Sequence, residues 1–231
     1  MVQMNTPINL RVKFKKVGSL QYISHLDLVR TMNKIVVRSR LPLWYTEGFN
    51  PKPKLVFAAP LSIGTESVTE LLDIRLTERI DPALAIEALN KNLTDEMQVL
   101  DAYYPEHPFT DMKWLSYTVN IKTMGADGAL AAQCERVLLS ESVTVDKKTK
   151  SGDVKRADIR PQIRSASAVL DGDIIKISTV LSADPSAFLN PEYVIKALRA
   201  ALGILSSPDL TAEYYSIMRE RAYRADMSEF V

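Results

Sequence analysis

Two hydrophobic periods alternate along this chain, and their alternation restricts the fold more than any other feature of the sequence. Leu10, Val12 and Phe14 alternate with basic residues, which is the period of two expected for a half-buried strand. Ser24 and Asp27 then have the spacing of a capping box, and apolar residues follow at helical spacing to about residue 40. A strand followed by an amphipathic helix predicts a layered fold in which helices cover one face of a sheet.

The rest of the first half continues this pattern. Short strands are predicted at residues 54–59, 69–77 and 97–103, and Asp81 with Pro82 marks the start of a second helix. The resulting order, β-α-β-β-α-β, is typical of a ferredoxin-like arrangement with two helices on one face of an antiparallel sheet. We therefore predict a ferredoxin-like domain over residues 7–104.

The second half repeats the order after residues 105–111, where two prolines in seven residues predict a linker. Strands are predicted at 115–121, 143–146 and 210–218, helices at 126–139 and after Pro191, and a hairpin around Asp171-Gly172-Asp173. This pattern predicts a second ferredoxin-like domain over residues 112–222, with an extended hairpin. The expected fold class is α+β, with two tandem ferredoxin-like units built on antiparallel sheets.

Composition excludes several classes of site. The single cysteine, Cys134, excludes an internal disulfide, a cysteine zinc cage and a multi-cysteine iron–sulfur cluster, and it falls on the apolar stripe of a predicted helix. Only two histidines are present, so we expect no metal and no cofactor bound by this chain. The absence of a signal peptide or a long apolar run predicts a cytoplasmic protein without a membrane partner.

Charge is segregated along the sequence although the net charge is only +1. Residues 1–60 contain ten Lys or Arg and two acidic residues, a net charge of +8, whereas residues 61–110 have a net charge of −7. A basic segment of this kind creates a local field that attracts phosphate. The alternative is a set of solvated faces that neutralise each other.

The most unusual segment is the loop at residues 41–54, in which aromatic residues and cations are interleaved with prolines. Tyr45 and Phe49 could stack on bases while Lys52 and Lys54 contact phosphates, and Asn50 lies among them. The alternative is that Trp44 and Phe49 pack into the core. The polar face of the first helix, which precedes this loop in the sequence, presents a basic stripe of Arg30, Lys34 and Arg38.

A second basic segment at residues 147–161 is rich in cations but poor in aromatic residues. Lys155, Arg156 and Arg160 are its candidates for phosphate contacts without recognition of bases. A solvated hairpin tip is the alternative.

Catalytic candidates are few. His25 beside Asp27 at a helix start could act as an acid or base, and Asp158 is a third candidate, although capping explains Asp27. The sequence contains no phosphate-binding loop, dinucleotide fingerprint, zinc-protease helix or nucleophile elbow. We therefore expect a protein without catalytic residues.

Several motifs are similar to those of the bacterial radical SAM-linked domain of unknown function. They are Tyr22-Ile-Ser-His-Leu-Asp-Leu28, Tyr45-Thr-Glu-Gly-Phe-Asn-Pro-Lys-Pro-Lys54, Phe57-Ala-Ala-Pro-Leu-Ser-Ile-Gly64 and Asp158-Ile-Arg-Pro161. The resemblance implies a stand-alone companion of a cobalamin-binding radical SAM protein. Pro51-Lys52-Pro53 replaces the Pro-His-Pro typical of that family, and no Cys-x-x-x-Cys-x-x-Cys motif is present for radical chemistry in this chain itself.

These observations lead to three hypotheses of function. The first is a non-catalytic accessory module of a radical SAM enzyme that binds RNA or presents a substrate in tRNA or rRNA modification. The second is an RNA-modifying enzyme with the architecture of some pseudouridine synthases, by analogy of fold alone. The third is a purely structural protein–protein adaptor.

Overall fold

The computed structural model describes residues 6–148 and 152–231, with the side chain of residue 148 left out. The chain divides into two compact units: unit 1 ends at Phe109 and also includes Val231, and unit 2 is Thr110–Phe230. Four α-helices lie in the described residues, two in each unit. The predicted α+β class is confirmed.

Unit 1 contains four strands and two helices in the predicted order. They are β1 (Ile8–Lys16), α1 (His25–Arg38), β2 (Leu55–Phe57), β3 (Thr65–Leu76), α2 (Pro82–Asn90) and β4 (Met97–Tyr103). All strand pairs are antiparallel, and the spatial order is β4-β1-β3, with β2 paired to β3. Each crossover helix therefore joins two strands that have a third strand between them.

Both helices of unit 1 begin at the predicted caps. The Ser24 hydroxyl accepts a hydrogen bond from the Asp27 N–H, and the Asp81 carboxylate accepts one from the Ala83 N–H. Each cap satisfies an amide that has no partner within its helix, which is worth about 1 kcal/mol. The helix starts are thus fixed by local sequence.

The core of unit 1 lies between the sheet and the helices. Leu28, Met32 and Val36 on one face of α1 are at most 2% exposed, and they belong to the same cluster as Leu10 and Phe14 of β1. Burying each such side chain contributes about 1.5–3 kcal/mol. Because this face of α1 is held against the sheet, the opposite face, with the basic stripe, points away from the core.

A buried ion pair ties the segment after β4 to the sheet. Arg11 of β1 faces Asp73 of β3 across the ladder, and its Nε and Nη2 donate to the two carboxylate oxygens at 2.7 and 3.0 Å. Its Nη1 donates to the His107 carbonyl at 3.0 Å, and the Phe109 ring centroid lies 4.0 Å from the guanidinium carbon. The segment predicted as a linker is therefore anchored on unit 1 at these two residues.

Unit 2 has the same succession of elements with one added hairpin. They are β5 (Trp114–Lys122), α3 (Gly128–Leu138), β6 (Thr144–Lys148), β7 (Val154–Asp158), β8 (Ile163–Asp171), β9 (Ile174–Ser182), α4 (Glu192–Leu202) and β10 (Tyr214–Tyr223). The spatial order is β10-β5-β9-β8, antiparallel throughout, and β6 and β7 pair only with each other among the described strands.

Two details of unit 2 differ from the sequence-based expectation. The strand β7 was not predicted, because four of its five residues are exposed and it has no apolar alternation. The last strand begins at Tyr214 and not at residue 210, because Leu210 is exposed and Asp209 accepts backbone N–H bonds in a turn that occupies residues 209–213.

Candidate nucleic-acid interface

The loop at residues 41–54 folds into a small hairpin-like structure. Tyr45 and Pro53 form an antiparallel bridge, and the Thr46 N–H donates to the Lys52 carbonyl at 2.9 Å. The Lys52 N–H in turn donates to the Thr46 hydroxyl at 3.2 Å. Gly48 at the tip has φ +120°, a conformation that favours glycine, and this closes the turn. The chain reverses here so that Tyr45 and Lys52 lie close together.

The base of this loop is anchored on β3. Leu43 forms a bridge with Leu76, the Trp44 N–H donates to the Arg75 carbonyl at 2.8 Å, and the Arg75 N–H donates to the Lys54 carbonyl at 3.3 Å. Leu43 is buried and Trp44 is half-buried. The alternative interpretation was that Trp44 and Phe49 pack into the core, but the residue of this segment that is buried there is Leu43. For Phe49 that interpretation is wrong, because its side chain is fully exposed.

The outward face of α1 carries the predicted basic stripe. Arg30, Lys34 and Arg38 are spaced by four residues, so they lie along one face of the helix, and all three are exposed. Asn33 and Val37 lie between them on the same face, and Val37 is 48% exposed. Positive charge thus surrounds a small apolar patch.

The loop hairpin and this helix face enclose a cleft of about 560 Å³, here called the α1–loop cleft. The helix contributes five lining residues: Arg30, Asn33, Lys34, Val37 and Arg38. The loop contributes four: Tyr45, Pro51, Lys52 and Pro53. None of the nine is acidic, and the volume lies within the range of small-ligand sites.

The cations of the cleft differ in how far they are neutralised. The Arg30 guanidinium lies 3.3 Å from the Asp27 carboxylate, with both side chains more than half exposed. The Ser24 hydroxyl, and then Arg30, hold the pKa of Asp27 below its usual value. Among the described residues, no carboxylate lies within ion-pair distance of Lys34, Arg38 or Lys52. The cleft therefore has three uncompensated positive charges around Tyr45 and Val37.

Three predicted binding residues of the loop lie outside the cleft lining. Phe49 is fully exposed at the loop tip, and Asn50 is exposed beside it. Lys54 is exposed at the base of the loop, where its carbonyl accepts the Arg75 N–H. They extend the surface next to the cleft and do not form its walls.

A comparison with protein families gives a match over residues 9–191 to a family described as "Uncharacterized protein conserved in bacteria (DUF2344)". The match covers more than half of the chain. The chain belongs to the DUF2344 family. The resemblance to a bacterial family of unknown function is thus confirmed. No curated protein matches the DUF2344 chain in sequence.

Among solved structures, the DUF2344 chain is similar to chains in "Crystal Structure of a Cbf5-Nop10-Gar1 Complex" and "Crystal structure of the archaeal box H/ACA sRNP Nop10-Cbf5 complex". The first match has 11% identity and a TM-score of 0.49, and it covers 96% of this chain and 51% of that chain. The second has 10% identity and a TM-score of 0.46, covering 95% and 49%. The DUF2344 chain thus spans about half the length of these chains.

The catalytic candidates of the DUF2344 chain lie outside the cleft. The exposed His25 ring meets the Phe57 ring edge to face at a centroid distance of 5.3 Å. Asp27 takes part in the cap of α1, and Asp158 accepts the Val143 and Arg160 N–H groups, both at 2.9 Å, which hold the pKa of Asp158 below its usual value. These contacts give both carboxylates structural roles, and the expectation that the chain has no catalytic residues stays a prediction.

The second basic segment of the DUF2344 chain forms the β6–β7 hairpin, although residues 149–151 of that segment lie outside the described residues. Lys155 and Arg156 are exposed on β7, and Lys155 faces Lys147 across the hairpin. Arg160 lies beyond the strand, where its Nη1 donates to the Ile163 carbonyl at 2.7 Å. Of the three predicted cations, Arg156 lines a pocket of unit 2.

Sequence reasoning missed three lining residues, Val37, Pro51 and Pro53, and it placed Asn33 on the polar face of the helix without selecting it as a binding residue. Asn33 and Val37 lie three and seven residues after Arg30, so a helical projection of α1 places them on the basic face. The two prolines flank Lys52 in the sequence, but only the Tyr45–Pro53 bridge places them in the cleft wall.

In the described part of the DUF2344 chain, no three His, Cys, Asp or Glu residues are grouped so that they could hold a metal ion. No helix in residues 6–148 or 152–231 is long and apolar enough to span a bilayer. The Cys134 side chain is buried as expected, and its burial raises the pKa of the thiol to about 11.

Proposed function

We propose that this chain is a cytoplasmic, non-catalytic module that binds single-stranded RNA in the α1–loop cleft and acts as a companion of a radical SAM enzyme in tRNA or rRNA modification. The observation that carries the RNA-binding part is the convergence of the basic face of α1 with Tyr45 and Lys52 around one cleft without an acidic residue.

The chemistry of the cleft suits an unpaired nucleotide. Lys34, Arg38 and Lys52 supply charge for the phosphodiester backbone, and Tyr45, 43% exposed, supplies a ring face on which a base can stack. Phe49 at the loop tip offers a second ring for a neighbouring base. Bases in a duplex are stacked on each other and cannot use these rings, so single-stranded segments are favoured.

The proposal also includes a finer assignment of the fold. We assign the chain to two ferredoxin-like domains over residues 7–104 and 112–222, because the main strands of each unit follow one another in the same spatial order relative to the chain. The companion role is supported by the His-Leu-Asp and Gly-Phe-Asn-Pro motifs of the radical SAM-linked domain. In this proposal the chain itself binds no cofactor, and the partner enzyme supplies the radical chemistry.

The first experiment tests the site by charge reversal. The variant Arg38→Glu/Lys52→Glu replaces two cations of the cleft, and the control Arg79→Glu/Lys91→Glu makes the same change in charge at two exposed positions of unit 1 outside it. With a labelled single-stranded RNA, the cleft variant should lose binding while the control binds with an affinity closer to that of the wild type. Equal binding by the two variants would show that net charge, and not the cleft, governs association.

The second experiment tests the companion role with a tagged pull-down from the native cytoplasm, with and without nuclease. Recovery of a radical SAM protein after nuclease treatment supports direct association. Recovery of RNA without such a protein leaves RNA binding in place and contradicts the companion role. Recovery of neither contradicts both parts of the proposal.

A further inference from the structure

Unit 2 contains a pocket of about 480 Å³ whose lining includes Arg156, one of the cations of the second basic segment. Its walls come from the end of α3, the start of β6, the strand β7 and one face of α4. Two arginines, Arg136 and Arg156, and the hydroxyl residues Ser140 and Thr144 are part of its lining, which includes no Asp or Glu.

This pocket occupies the same topological position as the α1–loop cleft. In unit 1, α1 is followed by an inserted segment and then by β2, the last strand in the order β4-β1-β3-β2. In unit 2, α3 is followed by an inserted segment and then by β8, the last strand in the order β10-β5-β9-β8. Each pocket lies between that helix and that segment, and in unit 2 one face of α4 adds a further wall. In unit 1 the insert is the loop at residues 41–54, and in unit 2 it is the β6–β7 hairpin.

The cations have equivalent sources in the two units. Arg38 and Arg136 lie in the last turns of α1 and α3, and Lys52 and Arg156 come from the two inserts. A basic residue in a last turn is favourable for the helix itself, because it interacts with the negative end of the helix dipole. That reason does not apply to Lys52 or Arg156, because neither lies in a helix. The similarity between the two pockets therefore rests mainly on these two residues.

The geometry around Arg156 favours an anion as the occupant. Its Nη2 donates to the Thr144 hydroxyl at 3.1 Å, which holds the guanidinium at the pocket wall. Asp146 faces Arg156 across the β6–β7 hairpin, but within the described residues no carboxylate lies within ion-pair distance of Arg156 or Arg136. Two guanidiniums that share one concave surface repel each other until an anion lies between them, and a phosphate oxygen array matches the fork of donors that each presents.

We propose that the pocket of unit 2 is a second anion-binding site that holds a phosphate group of an RNA strand. The identity of the strand rests on the function proposed above, whereas the anion site rests on Arg136, Arg156 and Thr144 alone. This assignment gives the β6–β7 hairpin a purpose, since it supplies Arg156 to a pocket that α3 and α4 alone would leave without a second cation.

The test uses the full chain and two probes. The first probe is a fluorescein-labelled oligouridylate of 12 nucleotides, with fluorescence anisotropy as the readout. The variant Arg136→Gln/Arg156→Gln should bind it more weakly, and the slope of log K against log salt should become shallower by about 1.4, since each phosphate contact of a single strand contributes about 0.7. The control Lys176→Gln/Arg221→Gln removes two exposed cations of unit 2 outside the pocket. A variant that matches this control in affinity and slope would overturn the second site while leaving the cleft of unit 1 intact.

The second probe is inorganic phosphate, followed through the arginine Nε–H resonances of the ¹⁵N-labelled protein. Saturable shifts of the Arg136 and Arg156 resonances, absent for Arg221, support the anion site. If these shifts occur and the wild type does not bind the oligouridylate, the anion site stands and RNA as its ligand is overturned together with the proposed function. Absence of selective shifts overturns the anion site, and thermal unfolding of each variant verifies that it is folded.

Discussion

The salt dependence of RNA binding gives the sharpest prediction for the α1–loop cleft. Lys34, Arg38 and Lys52 are exposed cations without a carboxylate in ion-pair distance among the described residues, whereas Arg30 lies 3.3 Å from Asp27. A phosphate displaces counterions at an unpaired cation, but at Arg30 it competes with a carboxylate that is already present. The four cations should therefore contribute unequally.

The expected magnitudes follow from counterion release. Each phosphate neutralised on a single strand contributes about 0.7 to the slope of log K against log salt, so Arg38→Gln/Lys52→Gln should make the slope shallower by about 1.4. Between 50 and 200 mM salt, the affinity ratio of wild type to variant should then fall about sevenfold. Lys34→Gln should make the slope shallower by about 0.7, and Arg30→Gln should make it shallower by clearly less than that.

The assay is fluorescence anisotropy with a labelled oligouridylate at four or more salt concentrations. Asp27→Asn is the matched variant, since it releases Arg30 from its partner and should make the slope steeper. If Arg30→Gln and Lys34→Gln change the slope equally, and Asp27→Asn leaves it unchanged, the structural reasoning about the cleft charges is refuted.

Three further predictions concern stacking, the buried ion pair and acid stability. Tyr45→Ala should weaken binding of single-stranded RNA by about 5- to 150-fold through the loss of one stacked base, whereas Tyr45→Phe should bind as the wild type does, because the ring is retained; anisotropy titrations compare the two. Asp73→Ala should lower the free energy of unfolding by about 3–5 kcal/mol, because the guanidinium of Arg11, whose side chain is 1% exposed, loses the carboxylate that accepts two of its hydrogen bonds; urea unfolding measures this, and a loss below about 1 kcal/mol would contradict it. The Thr123 hydroxyl and the backbone amide of Ser207 lower the pKa of Glu213 to about 2, so the folded state favours the carboxylate. This stability is present above the ordinary value of 4.5 and is lost as the pH falls toward 2; melting temperatures should therefore decline less between pH 5 and 2.5 in Glu213→Gln than in the wild type, and parallel declines would show that Glu213 has no such role.

Local signals in the sequence account for the elements that frame the site. The capping box at Ser24 and the helical spacing of Leu28, Met32 and Val36 predict α1, and its basic face follows from the same projection. The alternation of Leu10 with its neighbours predicts β1. These features are determined by contacts within a few residues, so the sequence alone was sufficient to predict them.

The cleft itself depends on contacts that no local pattern encodes. The Tyr45–Pro53 bridge and the bonds between the loop base and Arg75 place Lys52 beside α1, and they join residues that are up to 31 positions apart. The strand β7 shows the same limit, since its four exposed residues give no apolar period, and its partner strand β6 determines its conformation. Tertiary pairing, and not propensity, decides both segments.

Photochemical cross-linking tests the central claim most directly, because it reports which ring touches RNA in the unmodified protein. Irradiation of the full chain with a uridine-rich single strand, followed by trypsin and mass spectrometry, should place adducts on the peptide of residues 41–54, at Tyr45 or Phe49. When the strand carries a label, an excess of the same strand without the label should suppress the labelled adducts, and an equal amount of duplex should not. Adducts confined to other peptides, or none at saturating RNA, would contradict the account of the α1–loop cleft as the RNA-binding site.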